Sequence, residues 1–228
     1  MRFEDLNWMD VERYLESDTR IILITGATEQ HAYLSLFTDI LIPSKIALAA
    51  AERENVLIAP PLNFGLSTNF SEFPGTISIS QQTFDMVMIE IVQSLFHQGF
   101  RDFLILNGHG GNILPARVED LYIDGVARVI WYEWWRGEAA QNFQTRHRMR
   151  IDHANWGENF PFNRVAESPN VEKMPVNLSY IDEGQSARAV LGDGNFGGVY
   201  QVDDALMIEL FGLVVNEVVG LLHSLKPD

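Results

Sequence analysis

The sequence predicts an α/β fold built on a parallel sheet, and two observations carry that prediction. Short β-rich apolar runs alternate along the chain with segments whose apolar residues recur at helical spacing. Two of these runs, RIILIT at 20–25 and DFLILN at 102–107, break off into the turns GATEQH and GHGGN, which carry polar and metal-capable side chains. Strands of a parallel sheet present ligand sites beyond their carboxyl ends, so such turns belong on a functional rim.

The first run, closed by Gly26, fits a strand buried on both faces, with a loop after it. Residues 43–55 open on Pro43, are rich in alanine and end on Asn55, which predicts a helix. A second strand at 56–60 is stopped by Pro60 and Pro61. Gly, Ser, Asn and Pro punctuate 61–80, an irregular loop with a short extended piece; loops of that length are often functional. Residues 81–100 have helical spacing, with Gly99 placed to end the helix. After the strand at 102–107 come a helix at 114–125, a fourth strand at 127–135 and a long C-terminal helix at 203–225. No repeat or linker interrupts the pattern, so one domain is expected over 1–228. GATEQH, NGHGGN and the segment after YEWW then share one rim.

Composition narrows the function. A formal charge of -15 argues against nucleic acid or an anionic membrane as partner and favours a small molecule. No apolar run is read as approaching the roughly 20 residues of a spanning helix. The opening is too acidic and interrupted for a signal peptide, so a cytoplasmic location is expected. Cysteine is absent, which leaves His, Asp and Glu as strong side-chain metal ligands.

Those ligand types are crowded after the first strand. Glu29 and His31, two apart, point to one side of an extended segment, and a returning loop can bring Asp39 between them. A carboxylate so placed can bridge two ions about 3.5–4 Å apart; the alternative is a set of capping and surface residues. NGHGGN lacks the Lys and Ser/Thr of a phosphate loop, and its glycines would let backbone approach a ligand beside His109. In DHANWGENF, His153 and Glu158 are five apart and need a turn through Gly157; either can be a ligand, or His153 the proton carrier. WYEWW reads as core or interface, with a pocket role favoured by its place at a strand end. His97, His147 and His223 read as structural or surface residues.

Taken together, TEQH, TD, FPGTISIS, GFRDFLILNGHGGN and HANWGENF resemble the creatininase (creatinine amidohydrolase) family, from Ile21 to about Arg164. LGDGNFGG at 191–198 is a looser match, with Gly194 where the family has proline. The resemblance implies a three-layer α/β/α sandwich around a mainly parallel sheet, with two divalent ions per subunit: zinc, manganese or iron. It makes Glu29 and His109 ligands of one ion, His31 a ligand of the other, Asp39 the bridge, and Glu158 the residue that completes the second site. A glutamate that the family's creatininase uses for the second ion is Gly111 here, and AYLSLF at 32–37 and ENF at 158–160 also depart from the family pattern. The implied reaction is hydrolysis of a non-peptide C–N bond, in a cyclic amide or a formamide, by a metal-bridged hydroxide, with His153 and Glu158 as catalytic residues and Trp134 or Trp135 over the substrate. The rivals are deformylation of a nucleotide-like formyl-amine, with Arg117, Arg136 and Arg164 as candidate phosphate contacts, and a catalytically silent metal-stabilised protein. A homo-oligomer, favoured as a hexamer, is expected to use WYEWW and the FPGT loop at its contacts.

Overall fold

The computed structural model describes residues 1–226, so the last two positions of the expected domain, Pro227 and Asp228, lie outside the described residues. In chain order the elements are α1 (Trp8–Leu15), β1 (Arg20–Thr25), α2 (Thr38–Glu54), β2 (Leu57–Ile58), α3 (Gln81–Gln98), β3 (Asp102–Asn107), α4 (Ala116–Ile123) and β4 (Arg128–Glu133). Then follow α5 (Glu138–His147), β5 (Glu172–Lys173), α6 (Ser179–Asp182), α7 (Ala187–Leu191), β6 (Gly198–Val199) and α8 (Asp204–Ser224). The main sheet has the order β2-β1-β3-β4 and is parallel throughout. Its register aligns Thr25, Asn107 and Glu133 across one carboxyl edge, which fixes the rim.

Strands β1, β2 and β3 are buried on both faces, the edge strand β4 only partly, and alternation divides their side chains between two cores. Ile22, Ile24, Leu104 and Leu106 pack with α2, α5 and α8, while Ile21, Leu23, Phe103 and Ile105 pack with α1, α3 and α4. Helices therefore cover both faces, which is the expected three-layer α/β/α arrangement.

Several boundaries differ from expectation. Helix α2 begins at Thr38, so Pro43 lies inside it. Proline has no N–H to donate to the Asp39 carbonyl four residues back. That carbonyl instead lies against two glycines: a Cβ on Gly26 would sit 2.3 Å from it and one on Gly108 1.9 Å. The start of α2, with Asp39 in its first turn, thus seats directly on the ends of β1 and β3. Strand β4 stops at Glu133, because a turn follows in which Arg136 N donates to the Glu133 carbonyl. The β5–β6 pair and helices α1, α5, α6 and α7 lie in stretches where the sequence pattern suggested no elements.

The expectation that no run reaches spanning length is also corrected. Helix α8 has 21 residues and a mean hydropathy of 2.0, long and apolar enough by composition to cross a membrane. It lies against α2 and α5, burying Met207, Leu210, Val214, Val218 and Leu222. Its closing carbonyls accept from Arg20 and Arg128 at the foot of β1 and β4. Arg20 is itself buried and paired with Asp18 and Glu54.

Candidate metal centre

At the rim, Glu29 and His31 follow β1, His109 follows β3, and Asp39 descends from the first turn of α2. The Nδ1–H of His31 faces the Glu29 carbonyl at 3.2 Å, which leaves Nε2 3.0 Å from Asp39 Oδ1 and 3.6 Å from Glu158 Oε2. His109 is held the other way round. Its Nε2–H donates to the Leu66 carbonyl at 2.9 Å, and Nδ1 lies 2.9 Å from Asp39 Oδ2 and 3.4 Å from Glu29 Oε1. A backbone acceptor on one ring nitrogen fixes the tautomer and turns the other nitrogen toward a metal. The two oxygens of Asp39 thus face two different histidines.

The asparagines of NGHGGN build this support. Asn107 donates to the His109 carbonyl and accepts from the His109 N–H. Asn112 donates to the Gly26 carbonyl and accepts from Leu66 N, tying the β1 end, the β3 end and the 61–80 loop together. Glu158 comes from a short turn at Trp156–Glu158, and the Ala154 N–H donates to its Oε2 at 2.6 Å. A Cβ on Gly111 would lie 2.4 Å from the Leu66 carbonyl and 2.5 Å from His109 Nε2. No side chain fits there, so the ligand that the family resemblance would put at this position has no counterpart, and Glu158 stands beside His31 instead.

Among the described residues, three sets of ligand atoms lie within 4.8 Å of one another: Glu29, Asp39 and His109; His31, Asp39 and Glu158; Glu29, His31 and His153. Despite the short ion-pair distances, Glu29 Oε2, His31 Nε2 and Asp39 Oδ2 are buried with no partner in hydrogen-bonding geometry among the described residues. Buried polar atoms normally have partners. A mixed imidazole and carboxylate set with such atoms turned inward fits a divalent ion such as zinc or manganese.

The electrostatics are tightly linked. Burial works against the His31 imidazolium, but Asp39 and then Glu158 outweigh it and raise His31 to about 10. Burial likewise opposes charge on His109, and Glu29 and Asp39 lift it well above its ordinary value. Asp39 is held well below the usual carboxylate range: burial pushes it up, and His31 and His109 more than reverse that. Burial raises Glu158 to about 7, with His31 pulling in the other direction. His153 goes the opposite way from the other two histidines, since burial and then the charge on His31 depress it well below the usual range.

His153 is less buried than His31 and His109, and rings crowd it. Phe70 stacks on its ring at 4.6 Å and 15°, Phe196 lies 4.8 Å away and His31 4.4 Å. Its Nε2 is 3.0 Å from the Gln30 carbonyl and its Nδ1 3.7 Å from Glu29 Oε1.

Above the cluster opens a cavity of about 660 Å³. Trp135 lines it, with Arg136, Arg150, Gln141, Asn69 and Ser67. The expectation that either Trp134 or Trp135 covers a substrate is corrected for Trp134. That side chain is 2% exposed, packed edge-on against Phe160 in the core, because β4 ends two residues earlier than expected and the turn sends Trp134 inward. Of the arginines considered from sequence, Arg136 lines the cavity, while Arg164 is engaged by Asn159 and Asp204 away from it and Arg117 sits on α4. Sequence reasoning missed Arg150, though the basic stretch RHRMR contains it, and missed Ser67, Phe70, Phe196 and Gln30. Only Gln30 had a signal, as the middle of EQH. His97 and His223 are exposed, and His147 packs on Phe143.

The parallel α/β sandwich and the carboxylate–histidine cluster at its rim define a chain of the metal-binding α/β class. The creatininase family profile, described as creatinine amidohydrolase, matches residues 4–219, and the chain belongs to that family. The creatinine amidohydrolase of Pseudomonas putida is 31% identical over 115 residues, 47% of this chain and 44% of that protein. The mycofactocin precursor peptide peptidase of Mycolicibacterium smegmatis is 33% identical over 123 residues, 50% of this chain and 49% of that protein. The aligned region therefore spans about half the length of these curated relatives. A solved creatininase in its manganese form shares the fold, with a TM-score of 0.78 at 19% identity, over 100% of this chain and 99% of the other.

Proposed function

We propose that the protein is a divalent-metal-dependent hydrolase that cleaves a C–N bond other than an ordinary peptide bond, in a small cyclic amide or formamide. The observation that carries this reading is Asp39, whose two carboxylate oxygens face His31 and His109 separately at 3.0 and 2.9 Å. Glu29, Asp39 and His109 would hold one ion, and His31, Asp39 and Glu158 a second. Divalent ions so held supply Lewis acidity and lower the pKa of water toward about 7.

The chain's own groups do the rest. His153, neutral at pH 7 and turned toward Glu29, takes up the proton released as water attacks and returns it to the departing nitrogen. The rings of Phe70, Phe196 and His31 packed against His153 limit its rotation. Trp135 gives the substrate a flat wall, and the cavity suits a small molecule in volume. The acidic surface fits a small-molecule partner over a nucleic acid or a membrane, with the cytoplasm as the setting.

A second reading, deformylation of an anionic formyl-amine, is favoured by Arg136 and Arg150 on the cavity wall. The test is metal analysis of the purified protein, followed by assay of the zinc- and manganese-loaded forms on cyclic amides, N-formyl amines with and without phosphate, and short peptides. Turnover confined to peptides, or none at all from a metal-replete sample, overturns the proposal.

A further inference from the structure

The cavity above the cluster carries charge that hydrolysis of a neutral amide does not need. Apart from the candidate ligands and His153, the described residues of its wall include two guanidinium groups, Arg136 and Arg150, and one carboxylate, Asp152. The chain as a whole has 31 acidic and 16 basic residues, so this excess of arginine runs against its overall balance. Charge of one sign in a cleft focuses its field on whatever enters.

The backbone beneath sets both arginines in place. Strand β4 ends in a turn in which Arg136 N and Gly137 N donate to the Glu133 carbonyl at 2.9 and 3.1 Å. The Glu133 side chain, largely buried, then serves two neighbours: Oε2 accepts from Arg136 Nη1 at 2.9 Å and Oε1 from Asn107 Nδ2 at 3.3 Å. Asn107 also donates to the His109 carbonyl, which ties Arg136 to the floor of the cavity. On the other side, the Arg150 carbonyl accepts from Asn155 Nδ2 at 3.0 Å and Trp156 Nε1 at 2.9 Å. The next residue, Ile151, donates its N–H to Gln144 Oε1 on α5. Arg150 Nη2 lies 3.4 Å from Asp152 Oδ2, too long for a strong hydrogen bond. Both side chains are exposed, which puts them where the cavity meets solvent. A guanidinium has five N–H donors, so each arginine keeps donors for a second partner, and its planar fork matches a carboxylate or a phosphate.

We propose that Arg136 and Arg150 form an anion subsite at the mouth of the cavity, which takes a carboxylate or phosphate group carried by the substrate away from the bond that is cut. This rests on the hydrolase reading above and narrows its substrate, cyclic amide or formamide alike, to an anionic one. Trp135 precedes Arg136 on the same wall, so a flat group and an oxyanion of one molecule can be held side by side.

The test is calorimetric binding, to the zinc-loaded protein, of three probes with one skeleton: N-formylglycine, N-formyl aminomethylphosphonate and the neutral N-formylglycinamide. The expected result is that one charged probe binds at least about tenfold more tightly than the neutral one, and the better of the two tells which oxyanion the subsite prefers. In the Arg136→Gln, Arg150→Gln double variant that preference should fall about tenfold at unchanged metal content. The corresponding double lysine variant, which keeps both charges without the fork, should recover part of it. Arg146→Gln removes the same charge from an arginine paired with Glu209 outside the cavity wall and should keep the full preference. A wild-type protein with no preference overturns the proposal. So does a preference that survives the double glutamine variant, which would put the oxyanion on the ions, or one lost equally in Arg146→Gln, which would make it a general field effect. If the metal-replete protein hydrolyses no amide or formamide, the hydrolase reading fails by itself, and the probe affinities still decide the subsite.

Discussion

Asp39 is the residue on which the candidate site turns, because its two carboxylate oxygens face His31 and His109 separately. Asp39→Asn should therefore lower metal content and activity more than Glu158→Gln, since a neutral amide cannot supply the same charge to both sides; equal occupancy by elemental analysis would refute the bridge. His153→Ala should keep the metal and reduce turnover by about 10²–10⁴-fold, the range for a lost proton carrier. Loss of an ion would instead make it a ligand, a role its place beside Glu29 and His31 allows. In metal-free protein His31, raised to about 10, and His109, raised well above its usual value, are protonated at pH 7. A metal must displace those protons, so its binding should release acid and tighten as pH rises from 6 to 8, as titration in weak buffer can measure. Much of this site was legible in the sequence, because Glu29, His31, Asp39, His109 and Glu158 are chemically distinctive and stand next to readable strand ends. The cavity-lining Ser67, Phe70 and Phe196 were not, since such residues are unremarkable until packing places them.

At the scale of elements, the seat of α2 on two strand ends decides where Asp39 points. Gly108→Ala puts a Cβ 1.9 Å from the Asp39 carbonyl and 2.8 Å from Pro43 Cγ, on backbone that cannot move aside. The expected outcome is about 1–3 kcal/mol of destabilisation by denaturant melts, in the range for overpacking, together with reduced metal content. Gly110→Ala, whose Cβ would have only Trp135 at 3.9 Å, is the control and should melt near the wild-type midpoint. Segments α1 and α5 were not read as helices, whereas the four strands and helices α2, α3, α4 and α8 were legible because apolar runs and spacing are properties of local sequence. The start of α2 was not. Proline is commonest at the first helical position, so Pro43 read as the beginning, whereas the real first turn is made by residues that look like loop. The stop of β4 at Glu133 was equally hidden, because aromatic residues continue past it and only the turn through Arg136 shows which tryptophan faces the cavity.

At the scale of the whole molecule, the apolar surface around the FPGT loop is the feature that argues for assembly. The aromatic stretch WYEWW contributes less than expected, because Tyr132 and Trp134 are buried in the core. By contrast Leu36, Phe37, Phe64 and Ile77 are each 37–48% exposed. The backbone brings three of them together: Ile77 bridges to Thr28, whose hydroxyl donates to the Asn63 carbonyl beside Phe64, and Gly75 lies against Leu36. Such a patch on a chain with a net charge of -15 is poorly suited to remain in water, yet the charge opposes indiscriminate clumping. A closed homo-oligomer satisfies both conditions, because it covers the patch and leaves the acidic surface outside. Light scattering of the metal-loaded protein should give a mass several times 25.9 kDa, with a hexamer the expected size. Ile77→Asp places a charge in the patch and should lower that mass while sparing metal content, since Ile77 is not a ligand. A wild-type monomer with full metal occupancy would remove the assembly and leave the Asp39-centred site unaffected.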